Sequence, residues 1–321
     1  MKFFIGPVTK NTIDTVINFS NETNNNFVFI PSRRQVEYNG GYVNNFKTSE
    51  FIEYVKSRTS KIIFERDHSG PNQGKINDDG YESLIEDCKY FDIIHIDPWK
   101  KYPLYNDALE WSIKMIEFCY EHNPNIIYEI GTEEGIRPIE VNELDKFVND
   151  IKSKLKPEIF DKIKYLVIQC GTKLLEQSNI GIYDSDKLNK MIDICIKYNL
   201  ISKEHNGDWV DLNIIKQKEY QGLKCINIAP EFGEIESSVI IKNFNENDLN
   251  KFYEICYNSN TWKKWVSPDF NPKNNKEKLI KICGHYNFTN DEFVNIKNKY
   301  ENLDKQICEA IKNKLLSLTC S

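Results

Sequence analysis

Eight short apolar runs, each closing on a polar turn, constrain the fold of this chain more than any other feature. They are KFFIG (2–6), FVFIP (27–31), KIIFE (61–65), DIIHID (92–97), NIIYEIG (125–131), YLVIQCG (165–171), LISKEH (200–205) and KCINIAP (224–230). β-Branched and aromatic residues dominate them, which marks strands, and their spacing of about 30 residues leaves room for a helix between neighbours. Helical repeats with apolar positions three and four apart occupy 106–122, 141–155 and 185–199, the last with Ser185 and Asp186 as its expected N-cap. Eight strand–helix units in about 240 residues predict an α/β chain, a (β/α)8 TIM barrel over residues 1–244. A doubly wound open sheet is the alternative, but such a sheet ordinarily carries a Gly-rich phosphate loop after its first strand, and GPVTKN is not one. Beyond residue 244 strands disappear. Helices are expected at 245–258 and from Asp291 to Leu316, around a loop at 267–275, so residues 245–321 read as a C-terminal helical extension packed on the barrel or used for assembly.

The 321 residues carry a formal charge of -6, which gives no electrostatic reason to expect nucleic acid or an anionic membrane surface. Any anion must be held by local groups. The N-terminal apolar run stops at Gly6-Pro7, and no stretch approaches the length that spans a bilayer. Nine cysteines lie scattered through apolar patterns without a C-x-x-C pair, the pattern of reduced, buried thiols. A cytoplasmic protein is the expectation.

In a barrel of this kind the reacting groups sit at the C-terminal strand ends. Three of the five histidines fall there, His68, His95 and His205, with Asp67, Asp97, Glu129, Glu133, Glu204 and Asp208 around them. The two-residue strand period puts His95 and Asp97 on one face, and Lys203 and His205 on another. Asp67 and His68 are neighbours and cannot both point inward along a regular strand; the Gly70-Pro71 turn offers a place for the strand to end and release both. Taken singly, each histidine reads as a hydrogen-bonded structural residue. Converging at one mouth, imidazoles and a carboxylate form the donor set that Zn²⁺, Mn²⁺ or Co²⁺ accepts.

RRQVEYNGGY (33–42), DHSGPN (67–72), IHID (94–97), IGTE (130–133) and HNGD (205–208), in that order, resemble the tagatose-bisphosphate aldolase subunit family of the GatZ/KbaZ type, itself similar to class II ketose-bisphosphate aldolases. The likeness covers most of the first 235 residues. It implies a divalent metal, zinc first, held by His68, His205 and Glu133 with His95 as a further ligand. Asp67 would be the general acid/base, and Glu65 and Asp97 would stand with it as catalytic groups. It implies a phosphorylated sugar held at Asn206, Gly207 and Asn227, and Arg33, Arg34, Gln35, Asn72, Gln169 and Asp208 are further candidate contacts. Two departures stand out: Pro230 replaces a phosphate-binding threonine, and Arg33-Arg34 replaces smaller or uncharged residues. An arginine pair either grips an anion or lies on the surface.

Aldol cleavage needs a Lewis acid at the carbonyl and a base at a hydroxyl, and epimerisation by cleavage and recombination needs the same site. The expected activity is therefore a metal-dependent aldolase or epimerase of ketose phosphates. Two readings compete with it. Lys203 could form a Schiff base, and the chain could be a non-catalytic subunit that stabilises a separate aldolase or assembles with its own copies.

Overall fold

The computed structural model describes residues 1–319. Ten strands run in chain order: β1 (Lys2–Ile5), β2 (Val28–Phe29), β3 (Ile63–Ser69), β4 (Ile93–Ile96), β5 (Ile127–Ile130), β6 (Ile163–Ile168), β7 (Leu174–Leu175), β8 (Ser178–Asn179), β9 (Ile201–Glu204) and β10 (Cys225–Ile228). All but β7 and β8 pair in parallel and close into a barrel in the order β1-β2-β3-β4-β5-β6-β9-β10. The expected (β/α)8 barrel is the fold. β7 and β8 form a small antiparallel hairpin in the loop after β6, which the sequence reading passed over.

Two apolar cores result from the strand period. Phe4, Val28, Ile30, Ile93, Tyr165 and Cys225 point inward and plug the barrel, whereas the alternate residues join the helices in one large outer core. The helix at Ser185–Tyr198 is capped by Asp184, whose side chain accepts from the Lys187 amide. That cap lies one residue before the expected pair. Asn245 caps the helix Glu246–Ser259 in the same way.

Residues beyond 244 share the outer core: Phe252, Leu279, Phe293, Ile307 and Leu315 are all buried in it. The last helix, Leu303–Thr319, packs against the barrel helices Lys10–Thr23 and Pro230–Asn243. Gly233 permits the approach, because a Cβ there would lie 2.7 Å from the ring of His285. The run expected from 291 to 316 is broken into two helices, Asp291–Lys297 and Leu303–Thr319. Eight cysteines are free thiols, all buried except the half-buried Cys308, and Cys320 lies outside the described residues. Among the described residues, no helix is long and apolar enough to cross a membrane.

Candidate functional site

The mouth of the barrel is built on a floor of paired charge. Glu65, Glu129 and Lys203 are completely buried, and the Lys203 ammonium donates to Glu65 Oε1 at 2.6 Å and Glu129 Oε2 at 2.5 Å. Burial opposes charge on all three. For Lys203 the two carboxylates outweigh burial and raise its pKa; for Glu129 the ammonium outweighs burial and lowers it. Burial and the Glu129 charge push Glu65 well above the usual carboxylate range. An amine held this firmly as ammonium has no lone pair for a Schiff base. Glu65, expected among the catalytic groups, lies in this floor and makes its ion pair with Lys203 below the histidines.

Above the floor, adjacent residues Asp67 and His68 both face the mouth. The strand does not end between them, as the Gly70-Pro71 turn suggested; β3 continues to Ser69, and its register with β4 shifts between Arg66 and Ser69. His68 takes a left-handed φ of 49°, the kink of a β-bulge that re-aims a side chain. Arg66 points outward and is fully buried. It forms a two-pronged pair with Asp87 at 2.8 and 2.9 Å and donates to the carbonyls of Pro31 and Val36. This fastens the bulged strand to the neighbouring loop and helix.

The rings of His68, His95 and His205 form a nearly equilateral triangle with centroids 4.9 to 5.1 Å apart. Each ring has one nitrogen held by an acceptor outside the triangle. His68 Nδ1 donates to Asp97 Oδ2 at 2.6 Å, His95 Nε2 to the Gly131 carbonyl at 3.1 Å, and His205 Nε2 to Glu129 Oε1 at 2.7 Å. The opposite nitrogens, His68 Nε2, His95 Nδ1 and His205 Nδ1, face inward. The His68 amide donates to His95 Nδ1, which fixes that tautomer, whereas on His68 burial is outweighed by the charges of Asp67, Asp97 and Glu133, which push the pKa well up. These inner nitrogens surround Asp67: His95 Nδ1 is 3.8 Å and His205 Nδ1 3.9 Å from Oδ1, and His68 Nε2 is 3.7 Å from Oδ2. Glu133 Oε2 lies 3.6 Å from His68 and 3.8 Å from His205, and accepts from Asn206 at 2.9 Å. Burial disfavours the charge on Asp67, but the His68 charge and the other two rings outweigh it and hold the carboxyl well below its usual range.

Asp67, His68, His95 and His205 each offer a ligand atom within 4.8 Å of the others, a group that could hold a metal ion. Donor atoms across a tetrahedral zinc site stand about 3.3 Å apart, so the widest pair in this set would draw in by about 1.5 Å around an ion. Asp67 Oδ1 is buried and has no hydrogen-bond partner, a costly state that a cation would relieve. The residues therefore fit a divalent metal.

A cleft of about 640 Å³ opens over the cluster, and Asp67, His68 and Glu133 reach it. Of the expected substrate contacts, Arg34, Gln35 and Asn206 also line it. Gln35 faces it while accepting from the Ser32 amide. Asn227 sits on β10 with both amide atoms buried and unpartnered, a side chain waiting for a polar group.

Other expected contacts prove structural. Arg33 is buried and held by Glu37, Asp78 and the Gly70 carbonyl, which take four of its five N–H donors and set two carboxylates against its charge. Gln169 staples the loop after β5 through the Ile139 amide and the Thr132 and Arg137 carbonyls. Asp208 Oδ1 accepts from the amides of Ala229 and Glu231 at the start of the helix Pro230–Asn243. Gly207 is required by close approach, since a Cβ there would lie 2.5 Å from the Ile226 side chain. Asn72 offers Lys100 its carbonyl, at 2.8 Å, rather than a side chain to the cleft. Asp97, expected to be catalytic, accepts from His68 and from the Trp99 amide, and so orients a ring instead of meeting substrate.

The sequence reading missed one wall of the cleft. Lys264, Trp265, His285 and Tyr286 of the extension line it, as do Trp99 and Lys100 from the loop after β4. The second group lies in DPWKKY (97–102), directly after a strand-end motif; nothing local marked the first.

No protein-family model and no curated protein matches the chain. Solved structures do. The chain resembles a probable tagatose 6 phosphate kinase from Sinorhizobium meliloti 1021, with a TM-score of 0.81 and 13% identity over 99% of this chain and 98% of that one. It is also similar to the fructuronate-tagaturonate epimerase UxaE from Cohnella laeviribosi, with a TM-score of 0.64 and 10% identity over 99% and 81%. The YdjI aldolase from Escherichia coli K12 follows at 0.58 and 11%, over 99% and 88%. At these identities the likeness is one of fold.

Proposed function

We propose that this protein is a divalent-metal enzyme, zinc being the first candidate and manganese or cobalt the others, that breaks and remakes a carbon–carbon bond in a phosphorylated ketose. One observation carries the reading: three imidazoles from three strand ends, each fixed at its outer nitrogen, turn their inner nitrogens on the Asp67 carboxylate, whose buried Oδ1 has no partner. The aldolase and the epimerase among the structural neighbours support the reaction class, because both outcomes follow from one cleavage step.

His68, His95, His205 and Asp67 would hold the metal. When bound, a divalent cation supplies a Lewis acid that stabilises negative charge developing on the ketose oxygens. In this reading the two carboxylates exchange the roles that the sequence suggested: Asp67 joins the ligand set, and Glu133, at its edge, open to the cleft and hydrogen-bonded by Asn206, carries the proton. Glu133 is therefore the group that takes the proton from the substrate hydroxyl as the bond to the next carbon breaks, and returns it when a bond forms. Asn227 lends its free amide to a substrate hydroxyl. Release of the two fragments makes an aldolase; rotation of the carbonyl fragment before recombination makes an epimerase.

A non-catalytic stabilising subunit, the competing reading, has no use for three inner ring nitrogens gathered on one carboxylate. The test is incubation of metal-loaded protein with ketose mono- and bisphosphates, following fragments and epimers by NMR. Cleavage or epimerisation that falls at least ~100-fold in Glu133→Gln, with metal content kept, is the expected result. Metal retained with no turnover of any ketose phosphate would favour the subunit.

A further inference from the structure

The cleft is electrically divided. Its inner end holds Asp67 and Glu133 beside the imidazoles, and its outer wall holds three cations from three separate segments: Arg34 after β2, Lys100 after β4 and Lys264 in the turn Thr261–Trp265 of the extension. None of the three has a carboxylate partner. Arg34 donates through Nε to the Gly74 carbonyl and Lys100 to the Asn72 carbonyl, which leaves the Arg34 terminal nitrogens unengaged; the Lys264 ammonium lies over the rings of Trp265 and Tyr286 and makes no hydrogen bond. The contrast with adjacent Arg33, paired with both Glu37 and Asp78, is direct.

Mutually repelling cations cost stability unless something anionic joins them. Lys264 is open to the cleft, yet protein packed around it, together with Arg34 and Lys100, pushes its pKa down to about 7. Crowding by Arg34 also lowers Lys100, after burial. The chain's net charge of -6 makes this convergence local rather than a general basic surface. His285, buried beside Lys264 and kept neutral by burial and that charge, adds a polar wall whose Nδ1 has no partner.

We infer that Arg34, Lys100 and Lys264 form a subsite for a phosphate monoester at the end of the substrate remote from the reacting carbons, and that the C-terminal extension completes the active site by supplying Lys264. This rests on the functional reading above. A fork and two ammonium groups suit the three oxygens and double charge of a phosphate better than a single carboxylate. A cleft of about 640 Å³ accommodates a phosphorylated sugar spanning from the histidine cluster to this wall.

The probe is inorganic phosphate, titrated calorimetrically into metal-loaded wild type and Lys264→Ala, Lys264→Arg and Arg34→Ala, with acetate as the monoanionic control. Wild type should bind phosphate in preference to acetate. Both alanine variants should bind it about tenfold more weakly at unchanged metal content, and Lys264→Arg should recover most of the affinity. Phosphate binding that is absent in wild type, unchanged in both alanine variants, or matched by acetate would overturn the subsite. Because metal content and ketose turnover are read separately, failure of the subsite and failure of the proposed chemistry are distinguishable.

Discussion

Two neighbouring layers of the barrel interior use the same residue types to opposite ends. In the floor, the one Lys203 ammonium bridges Glu65 and Glu129 where water cannot reach, with Glu65 Oε2 left over. In the mouth one residue pair higher, Asp67 keeps an unpartnered oxygen and the inner nitrogens of three rings face its carboxylate. Neither burial nor a single unpartnered oxygen separates structural from functional charge; what differs is that the floor is bridged by a cation of the chain itself, whereas ring nitrogens gather on the Asp67 carboxylate. Glu129 joins the layers, one oxygen on the Lys203 ammonium and the other on the His205 ring.

The largest test of the contrast removes the floor's only cation. Lys203→Met leaves two buried carboxylates without it and should cost about 3–5 kcal/mol in chemical denaturation. A loss below ~1 kcal/mol would mean that the floor is not held by its pairing. The two adjacent arginines give the same contrast. Arg33→Ala uncovers Glu37 and Asp78 and should cost about 3 kcal/mol, whereas Arg34→Ala should stay within ~0.5 kcal/mol of wild type. Equal losses would erase the distinction between a paired and an open guanidinium.

Asp97→Asn weakens the hold on His68 Nδ1 without emptying the mouth. Metal affinity should fall about 10–100-fold, measured by chelator competition, with folding stability nearly kept. A final, smaller effect concerns pH. An aspartate in an unfolded chain titrates near ~4. In the fold, burial and then the Glu231 charge push Asp208 up to about 7. Between those values the native state keeps a proton that the unfolded chain has lost, so stability falls as pH rises, by at most ~1.4 kcal/mol per unit, and levels off above the folded pKa. Asp208→Asn keeps an acceptor for the Ala229 and Glu231 amides and should flatten that slope in urea melts from pH 5 to about 7.

The barrel was legible because strand runs and helical repeats are local patterns, and the strand period placed His95 and His205 correctly at the mouth. Asp67 and His68 were legible as a pair, but not the left-handed kink that aims them, since nothing in ERDHSG distinguishes a bulge from a strand end. Roles that depend on distant partners were not legible. Arg33 and Arg34 look alike until Asp78 and Glu37 are seen to consume one of them, and Asp97 looks catalytic until His68 is seen to take its oxygen. Lys264 and His285 lie roughly 60 to 80 residues beyond the last strand-end motif and reach the cleft only because the extension folds back over the barrel.

The central claim is that the mouth is a metal site. Elemental analysis of protein purified without chelator, wild type beside the His68→Ala/His205→Ala double variant, tests it most directly. The account predicts about one equivalent of zinc, manganese or cobalt in the wild type and little in the variant. No metal in either protein after reconstitution, or equal metal in both, would contradict it.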